Sequence, residues 1–143
     1  MIDITQKQDS IRICKASGVI RLKRETIKKI SENKIKTEKG NVFEIAKVIA
    51  FFGVKRTFEL IPHCHQIPIT NVSVDFEILD NGIKVIVKVK SKGKTGVEMD
   101  ALTGTSLALL TIWDMVKYLE KDEEGQYPDT RITDLKIEEK IKK

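Results

Sequence analysis

The stretch Asn71–Lys90, "NVSVDFEILDNGIKVIVKVK", decides how the rest of the chain is read. Its first half puts Val72, Val74, Phe76 and Ile78 at every second position, and its second half does the same with Ile83, Val85, Val87 and Val89. Alternation with period two marks a strand that buries one face. Asn81-Gly82, between the halves, is a dipeptide that tolerates the paired positive φ of a type I′ turn. The spacing predicts a β-hairpin turning at Asn81-Gly82. Ile78 then stands opposite Val85 and Phe76 opposite Val87, so that both apolar faces coincide.

Helical patterns flank this hairpin. "NVFEIAKVIAFFGVKRTFELI" (41–61) spaces Val42, Ile45, Ile49 and Phe52 for one helix face, Pro62 ends the pattern, and Gly53 is expected to kink or divide it. Glu98 to Lys121 reads as one long helix. Leu102, Ser106, Leu109, Trp113 and Val116 form a stripe there, widened by Ala101, Ala108, Ile112, Met115 and Leu119. A helix apolar on most sides must be buried by more than one neighbour. Toward the N-terminus, Cys14, Ala16, Gly18, Ile20 and Leu22 alternate as a strand, followed by a short helix from about Arg24 to Ser31. "EEGQYPD" reads as a turn and "TRITDLKIEEK" as a closing strand. The chain has no repeat, low-complexity tract or linker, so residues 1–143 are expected to form a single domain. Strand, helices, hairpin, helix, strand is an α+β order. It predicts a ferredoxin-like fold, an antiparallel sheet with two long helices packed on one face.

At 143 residues, 41% hydrophobic and 33% charged, the composition is that of a soluble globular protein. No apolar run approaches the ~20 residues of a membrane span. The opening "MIDITQKQDS" lacks the basic and apolar regions of a signal peptide, and the two cysteines have no framework spacing. A cytoplasmic protein with free thiols is expected. The net charge of +5 suits an anionic metabolite, nucleic acid or simple solubility, while an aromatic content of 6% argues against a stacking platform for single strands.

Three stretches carry chemistry. "SKGKTGVEMD" (91–100) offers lysines and glycines suited to phosphate, then two carboxylates that would repel it. It is not a P-loop: the position five before Gly93 is Lys88, and the preceding strand belongs to a hairpin. Glu98 and Asp100 fall in the first turn of the long helix, where negative charge meets the positive end of the dipole. Asp114 and Lys117 stand at i and i+3 inside the apolar run "LALLTIWDMVKYL", so a buried ion pair is expected, which signals more than stability. In "LIPHCHQIPIT", read as extended, His63 and His65 point one way and Cys64 the other. Three adjacent candidate ligands do not readily close on one ion, and no second cluster completes the set. No metal is expected; a polar loop that meets a ligand through His65 and backbone groups is. Lys39, Lys55-Arg56 and Lys140 lie in turns or near the end and matter only if the fold gathers them.

Together "KGNVFEIAK" (39–47), "AKVIAFFGVKRTFELIPHCHQIPIT" (46–70) and "KGKTGVEMDALTGTSLALLTIWDMVKYLEKD" (92–122) resemble the MoaC family, the cyclic pyranopterin monophosphate synthases of molybdenum cofactor biosynthesis. The likeness runs from "DITQKQDSIR" to "LKIEEK". It implies a lyase without a cofactor that converts 3′,8-cyclo-7,8-dihydroguanosine 5′-triphosphate to cyclic pyranopterin monophosphate and diphosphate. Such a substrate would explain the two-signed stretch: a triphosphate wants cations, and the N–H groups of a guanine-derived ring want carboxylates. By position, the resemblance implies Asp114, Lys117 and Lys39 as catalytic residues. It implies His63, Cys64, His65, Met99, Asp100, Glu98, Arg12 and Lys140 as substrate-binding ones. It also implies a homohexamer, a trimer of dimers with sites at subunit interfaces, and no membrane or nucleic-acid partner. The chain departs from the family in its Pro62–Gln66 loop, in Asp100 where a glutamate is usual, and in the absence of a glycine-rich tail. The alternative is a catalytically impaired nucleotide- or nucleic-acid-binding module of the same fold.

Overall fold

Strand β1 (Ser10–Arg21) runs through the centre of the sheet, and the chain is arranged about it. The computed structural model describes residues 1–32 and 36–143. After β1 come α1 (Arg24–Glu32), the short strands β2 (Lys36–Thr37) and β3 (Gly40–Asn41), α2 (Val42–Lys55) and α3 (Thr57–Leu60). The hairpin β4 (Ile69–Leu79) and β5 (Gly82–Gly93) follows, then α4 (Glu98–Glu120) and β6 (Arg131–Lys142). The sheet order is β4-β5-β1-β6 with every neighbouring pair antiparallel. Helices α2 and α4 lie side by side on one face, α4 over β1 and β5 and α2 over β4. This is the expected α+β, ferredoxin-like arrangement. Among the described residues, no helix is long and apolar enough to cross a membrane.

The hairpin forms, but its register differs from the expected one by two residues. Ile78 pairs with Ile83 and Phe76 with Val85, and Leu79–Gly82 is the last rung, so the turn is Asp80-Asn81. Neither Asn81 nor Gly82 has positive φ. A shift of two preserves the faces, which is why the apolar rows still coincide. Gly82 is required for a different reason, its approach to β1: a Cβ there would lie 2.3 Å from the carbonyl oxygen of Ile20. Gly82→Ala must push β5 from β1 and should cost ~2–3 kcal/mol in urea unfolding. A loss under about 0.5 kcal/mol would mean the strands part freely there.

Gly53 neither kinks nor divides α2, which runs on to Lys55 and breaks at Arg56. It sits instead at the crossing with α4, where a Cβ would meet Leu107 at 2.9 Å and the Cα of Gly104 at 3.2 Å. So close a crossing admits only small side chains. The buried row of α2 is therefore Val42, Ala46, Ala50 and Val54. The bulkier Ile45 and Ile49 are pushed to the flank, and Phe52 is 50% exposed. The last turn of α4 is tied down by the fully buried Glu120, which accepts from the hydroxyls of Thr26 and Thr130 and from the backbone N–H of Lys23.

Strand β6 is irregular. Its pairing with β1 shifts by one residue between Ser17 and Val19 and again between Lys15 and Ala16. Asp134, at φ 57°, lies at the first shift, and Glu138 is the extra residue at the second. The first bulge lets Ile132 and Ile137, an odd number of residues apart, both reach the core. Beyond the second bulge Lys140 stands opposite Cys14, on the helix-covered face. Glu138 points the other way, to Ser17, Lys15 and Lys84.

Candidate active site

The candidate residues fall into two clusters on α4. The first surrounds its N-terminal turn. A cavity of about 340 Å³ is lined there by His63, Cys64, His65, Glu98, Met99 and Asp100 among others. The turn after α3, closed by a hydrogen bond from the Cys64 N–H to the Ile61 carbonyl, presents the first three. The segment is not extended as expected, and both histidines and the cysteine line one wall. From below, the bulge in β6 aims Lys140 at Glu98, with Nζ 2.5 Å from Oε1. Burial would push the Glu98 carboxyl up, but the bond from Lys140, its own backbone N–H, and the charges of Lys140 and Arg12 hold it below the ordinary range. Asp100 is buried and lacks such partners. Burial pushes its carboxyl up to about 6, its own backbone N–H opposing and the charge of Glu98 adding to the rise.

Sequence reasoning missed the N-terminal segment, which has no periodicity to give it away. The carbonyl of Ile2 lies 2.6 Å from His65 Nε2, so that nitrogen carries the ring proton, since a carbonyl can only accept. Lys94 donates to the carbonyl of Thr5 at 2.7 Å. Between them a second cavity of about 220 Å³ adjoins the first along His65, Ile67 and Thr95.

The second cluster lies further along the helix. Asp114 takes Lys117 on one oxygen at 2.9 Å and Lys39 on the other at 3.0 Å. Lys39 also donates to the Asp114 backbone carbonyl at 2.8 Å. Its position comes from the tight β2–β3 turn, where the Lys39 N–H bonds Thr37 Oγ1, and from Asn41, whose side chain caps α2 through the Glu44 N–H. Sequence gave Lys39 no partner, because the contact joins residues 75 apart. The expected burial is also corrected: Asp114 and Lys117 have side chains 57% and 42% exposed, and Asp114 with Lys39 lines an apolar groove between α2 and α4. Hydrogen bonds from Lys117 and then Lys39 hold the Asp114 carboxyl below its usual range. The same bond to Asp114 raises Lys117, so this lysine keeps its proton at neutral pH rather than losing it to burial.

Asp100 and Asp114 are fourteen residues apart on one helix, hence about 21 Å. The chain thus brings Glu98, Asp100, Lys140 and the His63–His65 turn together, and separately Lys39, Asp114 and Lys117. It does not join the two sets. Among the described residues no group of three or more His, Cys, Asp or Glu is placed to hold a metal.

A family model described as the MoaC family matches residues 1–142. The chain belongs to the MoaC family. It is 54% identical over 142 residues to a protein of Methanopyrus kandleri, covering 99% of this chain and 91% of that one. It is 54% identical to one of Saccharolobus solfataricus (99% and 94% covered) and 55% identical to one of Archaeoglobus fulgidus (99% and 90%). Each of these carries the name "Probable cyclic pyranopterin monophosphate synthase".

In this MoaC-family chain Asp100 gives a pH signature of known sign. Its pKa is raised from an ordinary 3.8 to about 6, so the stability it adds is complete below 3.8 and lost as pH rises through about 6. Asp100→Asn should melt close to wild type at about pH 4 and be more stable by ~2–3 kcal/mol at about pH 8. Melting curves across that range check this, and a difference that does not widen above pH ~6 would contradict the burial argument.

Proposed function

We infer that the chain is a cyclic pyranopterin monophosphate synthase, a lyase of molybdenum cofactor biosynthesis. It takes the cyclised dihydro-GTP to the pyranopterin with loss of diphosphate, and works as a single catalytic domain in the cytoplasm without a bound cofactor. One observation carries the reading. In a chain of this family, α4 holds an acceptor-rich pocket at its first turn and a carboxylate bridging two lysines further along.

The pocket suits a guanine-derived ring, whose N–H groups meet Glu98 and Asp100, with the His63–His65 turn and Met99 around it. Lys140 and Arg12 stand beside Glu98 and would meet phosphate oxygens. Closing the cyclic phosphate forms a bond from a sugar hydroxyl to the α-phosphorus as the bond to diphosphate breaks. The ring rearrangement also needs proton transfers. Lys117, which keeps its proton, would serve as the donor; Asp114, held low, orients both lysines and is a poor base.

Reacting groups must stand about 3 Å from the atoms they act on, so clusters about 21 Å apart cannot serve one substrate within one copy. A second copy would bring its lysine cluster to the pocket of the first. The apolar groove between α2 and α4 supports this, as it starts at Lys39 and Asp114 and continues past Ile49 and Leu107 to Phe52. Leu110 on its wall is 52% exposed. We read the assembly as a homo-oligomer, the hexamer that the family resemblance implies.

The test is turnover with the cyclised GTP intermediate, detecting both diphosphate and pterin product. Absence of both from folded, assembled protein would refute the synthase. Tight polynucleotide binding that falls steeply with salt would then favour the binding module.

A further inference from the structure

Strand β5 turns Ile83, Val85, Val87 and Val89 toward the helices, each fully buried, and the next residue of that row is Ser91, 1% exposed. A hydroxyl in an aliphatic row has no packing rationale. Among the described residues, Ser91 Oγ has no hydrogen-bond partner. Neither has Nε of Arg12, directly opposite on β1, nor Oγ of Ser10, two residues earlier on the same face. Facing residues of neighbouring strands stand about 5 Å apart and alternate residues about 7 Å, so one small bridging group can touch all three atoms. Buried polar groups are partnered in roughly nine cases of ten. Three such atoms at neighbouring positions, none met by a protein group, therefore call for a shared partner.

The three atoms are shut off from solvent, which rules out a phosphoryl group reaching them. A single water would satisfy them together: it would accept from the Arg12 Nε–H and donate to the two hydroxyl oxygens. That bond leaves the outer edge of the guanidinium, with its two terminal nitrogens, for something else. Arg12 lies near enough to Glu98 for its charge to act on that carboxyl, at the cavity where Lys140 also ends.

We propose that Ser91 and Ser10, through one shared buried water, lock the Nε edge of Arg12 so that its outer edge is set as an anion clamp beside Lys140. Ser91 is then a positioning residue for the phosphate end of the ligand. This rests on the reading above, in which Arg12 and Lys140 take phosphate.

The probe is inorganic diphosphate, titrated calorimetrically into the assembled protein, with KM and kcat measured alongside. Ser91→Thr and Ser91→Val are matched in shape, both suit a strand, and only threonine keeps the hydroxyl. Valine should weaken diphosphate binding and raise KM by ~5–10-fold relative to threonine, with kcat kept, the pattern of a lost binding contact. In an Arg12→Lys background the two should bind alike, because the route runs through the guanidinium. Equal affinity of the valine and threonine variants overturns the assignment, as does an undiminished difference in the lysine background, or no diphosphate binding by the wild type. A chain that binds diphosphate in this Ser91-dependent way but yields no pterin would support the clamp while refuting the synthase.

Discussion

Alanine at Lys117 or at Lys39 is expected to lower kcat by roughly 10²–10⁴-fold while substrate affinity stays near wild type. Both ammonium groups converge on Asp114, at 2.9 and 3.0 Å, so each is held in a fixed place rather than swinging on its stem. The bond to Asp114 raises Lys117, which makes it a proton donor at neutral pH. Arginine preserves the charge but has a pKa above ~12 and gives up a proton poorly. Lys117→Arg and Lys39→Arg should therefore bind substrate and turn it over hardly better than alanine. Turnover close to wild type in both arginine variants would reduce the lysines to electrostatic anchors. Because both side chains are partly exposed, at 44% and 42%, thermal melts should move little, which separates a chemical loss from an unfolded protein.

The second large effect is recovery rather than loss. If one copy supplies the pocket and another the lysines, Lys39→Ala and Asp100→Ala damage different halves of each site. Each variant alone should be nearly inactive. Co-expressed in equal amounts, half of the pairs are mixed, and each mixed pair has one site intact out of two, so activity should return to ~25% of wild type. Lys39→Ala with Lys117→Ala damages the same half and should recover nothing. No recovery in the first mixture, with mixed oligomers shown by mass, would place the whole site within one copy. Full activity in a monomer at micromolar concentration would do the same.

Much of the fold could be read from the chain because its signals are local. The alternation of Val72–Ile78 and Ile83–Val89, the long apolar helix beginning at Glu98, and the order of elements each follow from neighbours in sequence. What escaped was set by distant contacts. The hairpin register went to Asp80-Asn81 because Gly82 is taken up by its closeness to Ile20. The buried row of α2 moved from Ile45 and Phe52 to alanines because α4 crosses at Gly53 and Gly104. In the site, the i, i+3 spacing of Asp114 and Lys117 revealed their pairing. Their exposure could not be read there, since an apolar run looks the same whether its own domain or another copy covers it. Family likeness gathered residues that spacing alone would leave unrelated, such as Arg12 with Lys140. It could not say that one chain holds them in two places.

The two bulges of β6 act like a pair of frameshifts, the second restoring the phase that the first changes. Ile132 and Lys140 are eight residues apart and would share a face in a regular strand too, but then Asp134, Lys136 and Glu138 would share it with them. The double slip expels those three and admits Ile137, at the cost of three residues, Asp134, Leu135 and Glu138, that pair with none of β1. Length tolerance in this strand is consequently one-sided. A natural or engineered chain that drops a residue at either slip straightens the strand and still delivers a cation at the end. One that gains a residue there turns that cation to the opposite side of the sheet, with the fold intact and the site emptied of it.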